Sequence, residues 1–303
     1  MTGPRDPLVE CVPNVSEGRR PEVVARVRAA VESTAGCCLL DVHSDPDHNR
    51  SVITFAGAPA AVEAGAFALA AVAVALIDMR HQDGVHPRMG AVDVVPFVPL
   101  GGMGMAECLA VAERTGRRIA DELSLPVYLY GVSARPGRPK RLAELRDGGF
   151  EGLRGAGRLP LEPDFGPLVA HSSAGAAAVG CRAPLVAFNL LLDTPDPRVA
   201  RRVASLIRES SGGLPGVQAL GLLLPGRGRT QVSMNLVDPG PAAIREVVDA
   251  VRNAAAGEGT RVTGAELVGL APAAVLAGLE ACDLPGMPTA ADAIEARLQR
   301  CSG

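Results

Sequence analysis

The chain reads as an α/β (α+β) protein made of two tandem βαββαβ-type subdomains with a ligand cleft between them. Three observations predict this. Short apolar runs alternate with helical-period segments over residues 8–131. The same order returns over 184–270. Between them lies an irregular stretch, 132–182, rich in Gly, Pro and Arg, which reads as a long connection with one short helix near 141–146. Subdomains are accordingly expected at 1–180 and 181–303. No strong sequence repeat relates them, so the likeness is one of pattern.

In the first half LVECV (8–12) is a strand ending at Pro13. Pro21 suits a helix start, and Val23, Val24, Val27, Ala30 and Val31 share one face of a helix over 21–34. CCLLDVH (37–43) and SVITFAG (51–57) are strands joined by the polar turn SDPDHNR. A long apolar helix follows at 59–78. AVDVVPFV (91–98) is a strand in which Pro96 points to a sheet edge or a bulge. A helix over 104–124 and the strand PVYLYG (126–131) complete a split βαβ pattern with an added αβ. The second half gives strands at 184–193, 217–224, 230–238 and 261–270. Helices fall at 197–210 and 241–256, and two short helices close the chain.

Composition narrows the function. Net charge is −3, no long Lys/Arg run occurs, and aromatic residues make up 3% with no Trp, so a general nucleic-acid binder is not expected. The run 60–77 is apolar enough to resemble a membrane span, but it is rich in Ala and Gly and contains Glu63; it reads as a buried helix. The N-terminus lacks the apolar core of a secretory signal. Seven cysteines without a C-x-x-C pair read as free thiols in a reducing cytoplasm.

Four of the five histidines fall in two segments, HSDPDHNR (43–50) and RHQDGVHPRMG (80–90), both at strand ends, where α/β proteins place ligands. In the first, His43, Asp45, Asp47 and His48 suit a divalent metal, a substrate contact or a solvated turn; the spacing does not choose among them. Arg50 could grip a carboxylate with two N–H groups. In the second, Pro87 stiffens the loop, Gly90 permits close backbone approach, and His86 beside Arg88 suits acid/base work next to an anion. CVPNVSEGRR (11–20) could use Asn14, Ser16 and Gly18 as a helix cap or anion cradle. Walker, G-x-S-x-G and dinucleotide-binding signatures are missing from the sequence.

Eight blocks then line up with one family: CVPNVSEGRRPEVV, LLDVHSDPDHNRSVITFAG, LIDM with GVHPRMGAVDVVPFVPL, PVYLYG, PDFGP, VAFN, QVSMNLVD and ELVGLAP. In this order they resemble the formiminotransferase domain of the formiminotransferase-cyclodeaminase family, over about 8–280. The resemblance implies two α/β subdomains around a folate tunnel, a homodimer, and transfer of a formimino group from N-formimino-L-glutamate to N5 of tetrahydrofolate. The histidine of the family's HPRMG motif, implicated as catalytic, falls on His86. Amidine transfer then gives His86 a role as base and afterwards acid, Arg50 and Arg88 as carboxylate ligands, and Asn14 and Asn49 as groups orienting the amidine or pterin. Ser16, His43, Gly90 and Asp93 complete the expected substrate and folate set. Tetrahydrofolate is expected as co-substrate, with no metal, and a separate cyclodeaminase as a partner. Animal members of the family carry acidic residues where this chain has His43 and Val85. A different small amine as donor or acceptor, or a folate-binding role without catalysis, is the alternative reading.

Overall fold

The first strand is cut in two by Pro13, and this break shapes the site. The computed structural model describes residues 7–154, 158–241, 243–279 and 282–301; parts of the N-terminal stretch and of DGGFEGLRGAGR lie outside that set. The chain divides after Arg182 into two compact units.

Unit 1 contains, in order, β1 (Pro7–Cys11), β2 (Asn14–Val15), α1 (Pro21–Glu32), β3 (Cys37–Asp45), β4 (Arg50–Gly57), α2 (Pro59–Leu76), β5 (Val92–Gly101), α3 (Met105–Leu123), β6 (Val127–Gly131), α4 (Leu142–Leu145), α5 (Gly149–Arg154) and β7 (Ala177–Cys181). β1 and β2 act as one interrupted strand, each pairing antiparallel with β4 on one side and β5 on the other. At the break the ladder continues through Val12 N–H to Pro96 O and Ile53 N–H to Pro13 O. β3 flanks β4; β7 and β6 extend the sheet parallel to β5.

β5 is therefore interior, where Pro96 had pointed to an edge or a bulge. The proline is tolerated because it lies opposite the break in β1/β2, and the irregularity sits nearby, between Asn14 and Val15. β7 is a second departure, a buried strand inside the stretch that read as irregular. Its residues AAVGC are mostly small and carry little β-propensity, so no period marked it.

α1 buries Val23, Val27 and Val31, and α3 buries Cys108, Val111, Ala112, Thr115, Ile119 and Ala120. These are the i, i+3/i+4 stripes of helices packed on a sheet. α2 is long and apolar enough to cross a membrane by length and composition. In this fold it packs beside α1 and α3 and contributes Val62, Ala66, Leu69, Ala70 and Ala73 to the main core. The opposite sheet face carries a smaller cluster of Met89, Val94, Tyr128, Tyr130, Ala176 and Ala178, closed by Leu145 and Leu153 of the connection.

Unit 2 contains β8 (Leu185–Leu192), α6 (Pro197–Ile207), β9 (Val217–Leu224), β10 (Arg229–Val237), α7 (Ala243–Gly257), β11 (Val262–Val268), α8 (Ala273–Leu276) and α9 (Ile294–Cys301). Its sheet order is β11-β8-β10-β9, all antiparallel. Taking β1/β2 as one strand, β5, β1/β2, β4 and β3 of unit 1 follow the same fourth-first-third-second order. The βαββαβ pattern thus folds the same way twice.

The start of α1 differs from the expected cap. Neither Asn14 nor Ser16 reaches it; the buried Glu17 carboxylate accepts from Arg19 N–H at 2.8 Å and Arg20 N–H at 2.9 Å. The anion at this helix start is the chain's own. Cys11, Cys37, Cys108, Cys181 and Cys282 are free thiols, whereas Cys38 and Cys301 are not. That corrects the expectation of free thiols throughout, since pairing depends on spatial proximity that cysteine spacing does not encode.

Candidate functional site

Three pieces of chain build the site: β2, the start of β4, and the loop entering β5. Val52 of β4 pairs with Asn14 on one side and His43 of β3 on the other. Directly opposed residues project to the same face of a sheet, so Asn14, Val52 and His43 share a row. Arg50, two residues from Val52, projects to the same face and meets Asn14: the Asn14 carboxamide oxygen accepts Arg50 Nε–H at 2.9 Å and also Nη2–H. Asn14 is in turn fixed by donating to Val12 O at 2.7 Å, within the chain break.

β5 supplies the next group through a bulge. Asn14 pairs with Val94 and Val15 with Val92, leaving Asp93 as an extra residue. A bulge re-aims a side chain. Asp93 turns to the Val94 side, fully buried, and binds Arg146 at 2.6 Å and 3.3 Å. The same carboxylate accepts Met89 N–H at 2.9 Å, so it pins the HPRMG loop as well.

That loop is held on every side. Ser16 Oγ–H donates to Gly90 O at 2.8 Å, and Ser16 N–H to Ala91 O at 3.0 Å. Ala91 N–H donates to Ala174 O at 2.9 Å. Gly90 lies so close to this neighbour that a Cβ would stand 2.1 Å from Ala176 O and 2.6 Å from Ala174 O. Gln82 donates to Ser16 O and to Asn49 O. Asn49, at φ +48°, accepts from Gly18 N–H at 3.0 Å and donates to Asp83 O at 2.8 Å; asparagine tolerates this left-handed geometry better than most residues.

At the centre, Arg50 Nη1 lies 2.5 Å from Nδ1 and 2.7 Å from Nε2 of His86, and Nδ1 is 2.8 Å from Pro87 O. A proton on Nδ1 satisfies the Pro87 carbonyl and leaves the Nε2 lone pair to accept from Arg50. The half-buried imidazole is held well below its ordinary pKa by desolvation first, then by Arg50, Arg146 and His48, whose ring centroid lies 5.8 Å away. It is therefore neutral at pH 7. Arg50 is pushed down to about 9 by desolvation and by Arg146, against a smaller opposing pull from Asp93. A guanidinium stays charged in proteins, so the imbalance is expressed as affinity for an anion. Arg50 is bound to Asn14 and His86, and among the described residues no carboxylate pairs with it.

The expected residues thus sort by distance from the chemistry. His86, Arg50 and Asn14 touch one another. Ser16, Asn49, Gly90 and Asp93 are committed to protein partners and shape the loop. The Arg88 guanidinium donates to Gln82 O at 2.6 Å and pairs with Glu151 of α5 at 3.0 Å. His43 lies half-buried along the strand row. Among the described residues no group of three His, Cys, Asp or Glu side chains is placed to hold a metal. Sequence reading missed Arg146, Gln82 and Glu151. Arg146 lies 53 residues from Asp93 in a Gly-, Pro- and Arg-rich segment, and the one available signal was that long connections are often functional.

Residues 8–182 match the formiminotransferase domain, N-terminal subdomain, and residues 187–283 match the formiminotransferase domain. The chain is 41% identical to a glutamate formimidoyltransferase of Streptococcus pyogenes, over 89% of this chain and 90% of that one. It is 42% identical to one of Thermoplasma acidophilum, over 88% of each. A formimidoyltransferase-cyclodeaminase of Sus scrofa is 44% identical over 88% of this chain and 50% of its own length. Two domain matches spanning both units, joined to identities above 40% along nearly the whole length, place this chain in the formiminotransferase family.

Proposed function

We propose that the chain transfers the formimino group of N-formimino-L-glutamate to N5 of tetrahydrofolate, giving 5-formiminotetrahydrofolate and L-glutamate, with His86 as proton carrier. One observation carries the reading: the His86 imidazole lies against a guanidinium that has no carboxylate partner among the described residues. The relatives named glutamate formimidoyltransferase support it independently.

The chemistry matches these groups. The N5 amine adds to the formimino carbon; a C–N bond forms, and the C=N π pair moves to the imino nitrogen. His86 Nε2 takes the proton lost from N5. The tetrahedral adduct collapses as His86 returns that proton to the glutamate nitrogen, whose bond to carbon breaks while C=N re-forms. One imidazole serves both halves because its neutral form is the resting form. Arg50 supplies charge for a donor carboxylate, and Asn14 fixes the guanidinium plane. The formimino carbon is already electrophilic, so the route calls for no metal or redox cofactor.

Homodimerisation, a cytoplasmic setting and a cyclodeaminase as downstream partner belong to the same proposal. Relatives whose names join the two activities support the partner. The test is glutamate release from formiminoglutamate with and without tetrahydrofolate. Folate-dependent release is the expected result. Release with another amine alone, or no release at all, would overturn the acceptor or the enzymatic reading respectively.

A further inference from the structure

Arg50 stands against the ring that the base must use. Its Nη1 lies 2.5 Å from Nδ1 and 2.7 Å from Nε2 of His86, and Nδ1 is also 2.8 Å from Pro87 O. With the guanidinium pressed on both ring nitrogens, a proton arriving at the resting imidazole meets a cation. Arg146 stands close enough to act electrostatically on both Arg50 and His86. Its Nη2 and Nε grip Asp93, and among the described residues its Nη1 makes no hydrogen bond. Among the described residues Asp93 is the one carboxylate set against these two guanidiniums, and it already serves Met89 N–H. The cluster therefore carries one uncompensated positive charge at a half-buried place, which is a strong demand for an anion.

We propose that Arg50 and Arg146 together form the receptor for one carboxylate of the donor, and that filling it draws Arg50 off His86 and releases the imidazole. The inference rests on the formimino-transfer reading for its substrate. A carboxylate is a better partner for Arg50 than a neutral ring nitrogen, because charge-assisted N–H···O bonds are roughly twice as strong as neutral ones. The Asp93 clamp keeps the Arg146 fork in place before the ligand arrives, so little rotamer freedom is lost on binding. Specificity then acts on the rate as well as on binding: a donor without a carboxylate leaves the base occupied. Arg146 is a specificity-determining residue and Asp93 a positioning residue. The charged and titratable groups acting on His86 are Arg50 of β4, Arg146 after α4 and His48 of the preceding turn, while Asp93 of β5 acts on Arg50.

The experiment uses formamidine, a formimino donor with no carboxylate, and tetrahydrofolate with the full-length chain. Added acetate is the probe for the empty receptor. Acetate is expected to raise transfer from formamidine saturably, on the order of tenfold. In the double variant Arg146→Met with Asp93→Asn, which removes both charges together, half-activation requires about tenfold more acetate. Arg146→Lys recovers part of that loss. Acetate without effect on a wild-type enzyme that turns over formiminoglutamate overturns the receptor while leaving the proposed function standing. If formiminoglutamate itself is not turned over, the function fails, and the receptor is then judged by 15N NMR of His86. Acetate must shift the Nε2 resonance and raise the pH at which the ring protonates; an unchanged titration overturns the proposal.

Discussion

At the residue scale the account turns on His86, whose protonation is suppressed by desolvation and by the guanidiniums of Arg50 and Arg146. The sign follows directly. The unfolded chain binds a proton at this ring near pH ~6.5, while the folded chain does so only at lower pH. Between those values the unfolded state holds more protons, so stability falls as pH falls below about 6.5. Urea unfolding at pH 7.5 and pH 5.5 measures this: the wild-type loss on acidification is expected to exceed that of His86→Gln. Equal losses would mean that the ring is not suppressed. His86, Arg50 and Asn14 were legible in the sequence because each sits beside a strand end in a short polar segment. Arg146 was not, because its role is created by a contact across 53 residues and by the bulge that exposes Asp93 to it. The pairing of Arg88 with Glu151 was hidden for the same reason, since the two are equally remote in sequence.

At the element scale the HPRMG loop owes its rigidity to contacts between backbones. Gly90 and Gly175 form an isolated bridge, and each is too close to the other's segment to admit a Cβ. Gly90→Ala must push Ala174 and Ala176 away, and overpacking of this kind costs about 1–3 kcal/mol. Thermal unfolding is expected to show a lowered Tm, and kcat to fall with it because His86 moves with the loop. Full retention of both would show that the loop is looser than drawn here. Helices and strands with a clear period were read within a few residues, including α1, α2, α3 and β9. β2 was hidden by its two-residue length, β7 by its small side chains, and the role of Pro96 by a strand break that only the sheet reveals. The turn that Glu17 ties just before α1 was likewise out of reach, since Asn14 and Ser16 are the better-known capping types.

At the scale of the whole molecule, two units repeat one strand order while sharing no strong sequence repeat, because the order depends on hydrophobic period and not on residue identity. Each has its own apolar core, and the groups proposed to carry the chemistry, His86, Arg50 and Asn14, all belong to unit 1. Residues 183–303 expressed alone are expected to unfold cooperatively in urea and to show no transferase activity; a gradual transition would mean that the second core depends on the first unit. The family assignment stands on the two domain matches, but the chemistry stands on one ring. The most direct measurement is steady-state glutamate release by His86→Asn, with circular dichroism to confirm folding. The account predicts a fall in kcat of about 10²–10⁴-fold with the fold intact. A folded variant working at the wild-type rate would contradict it.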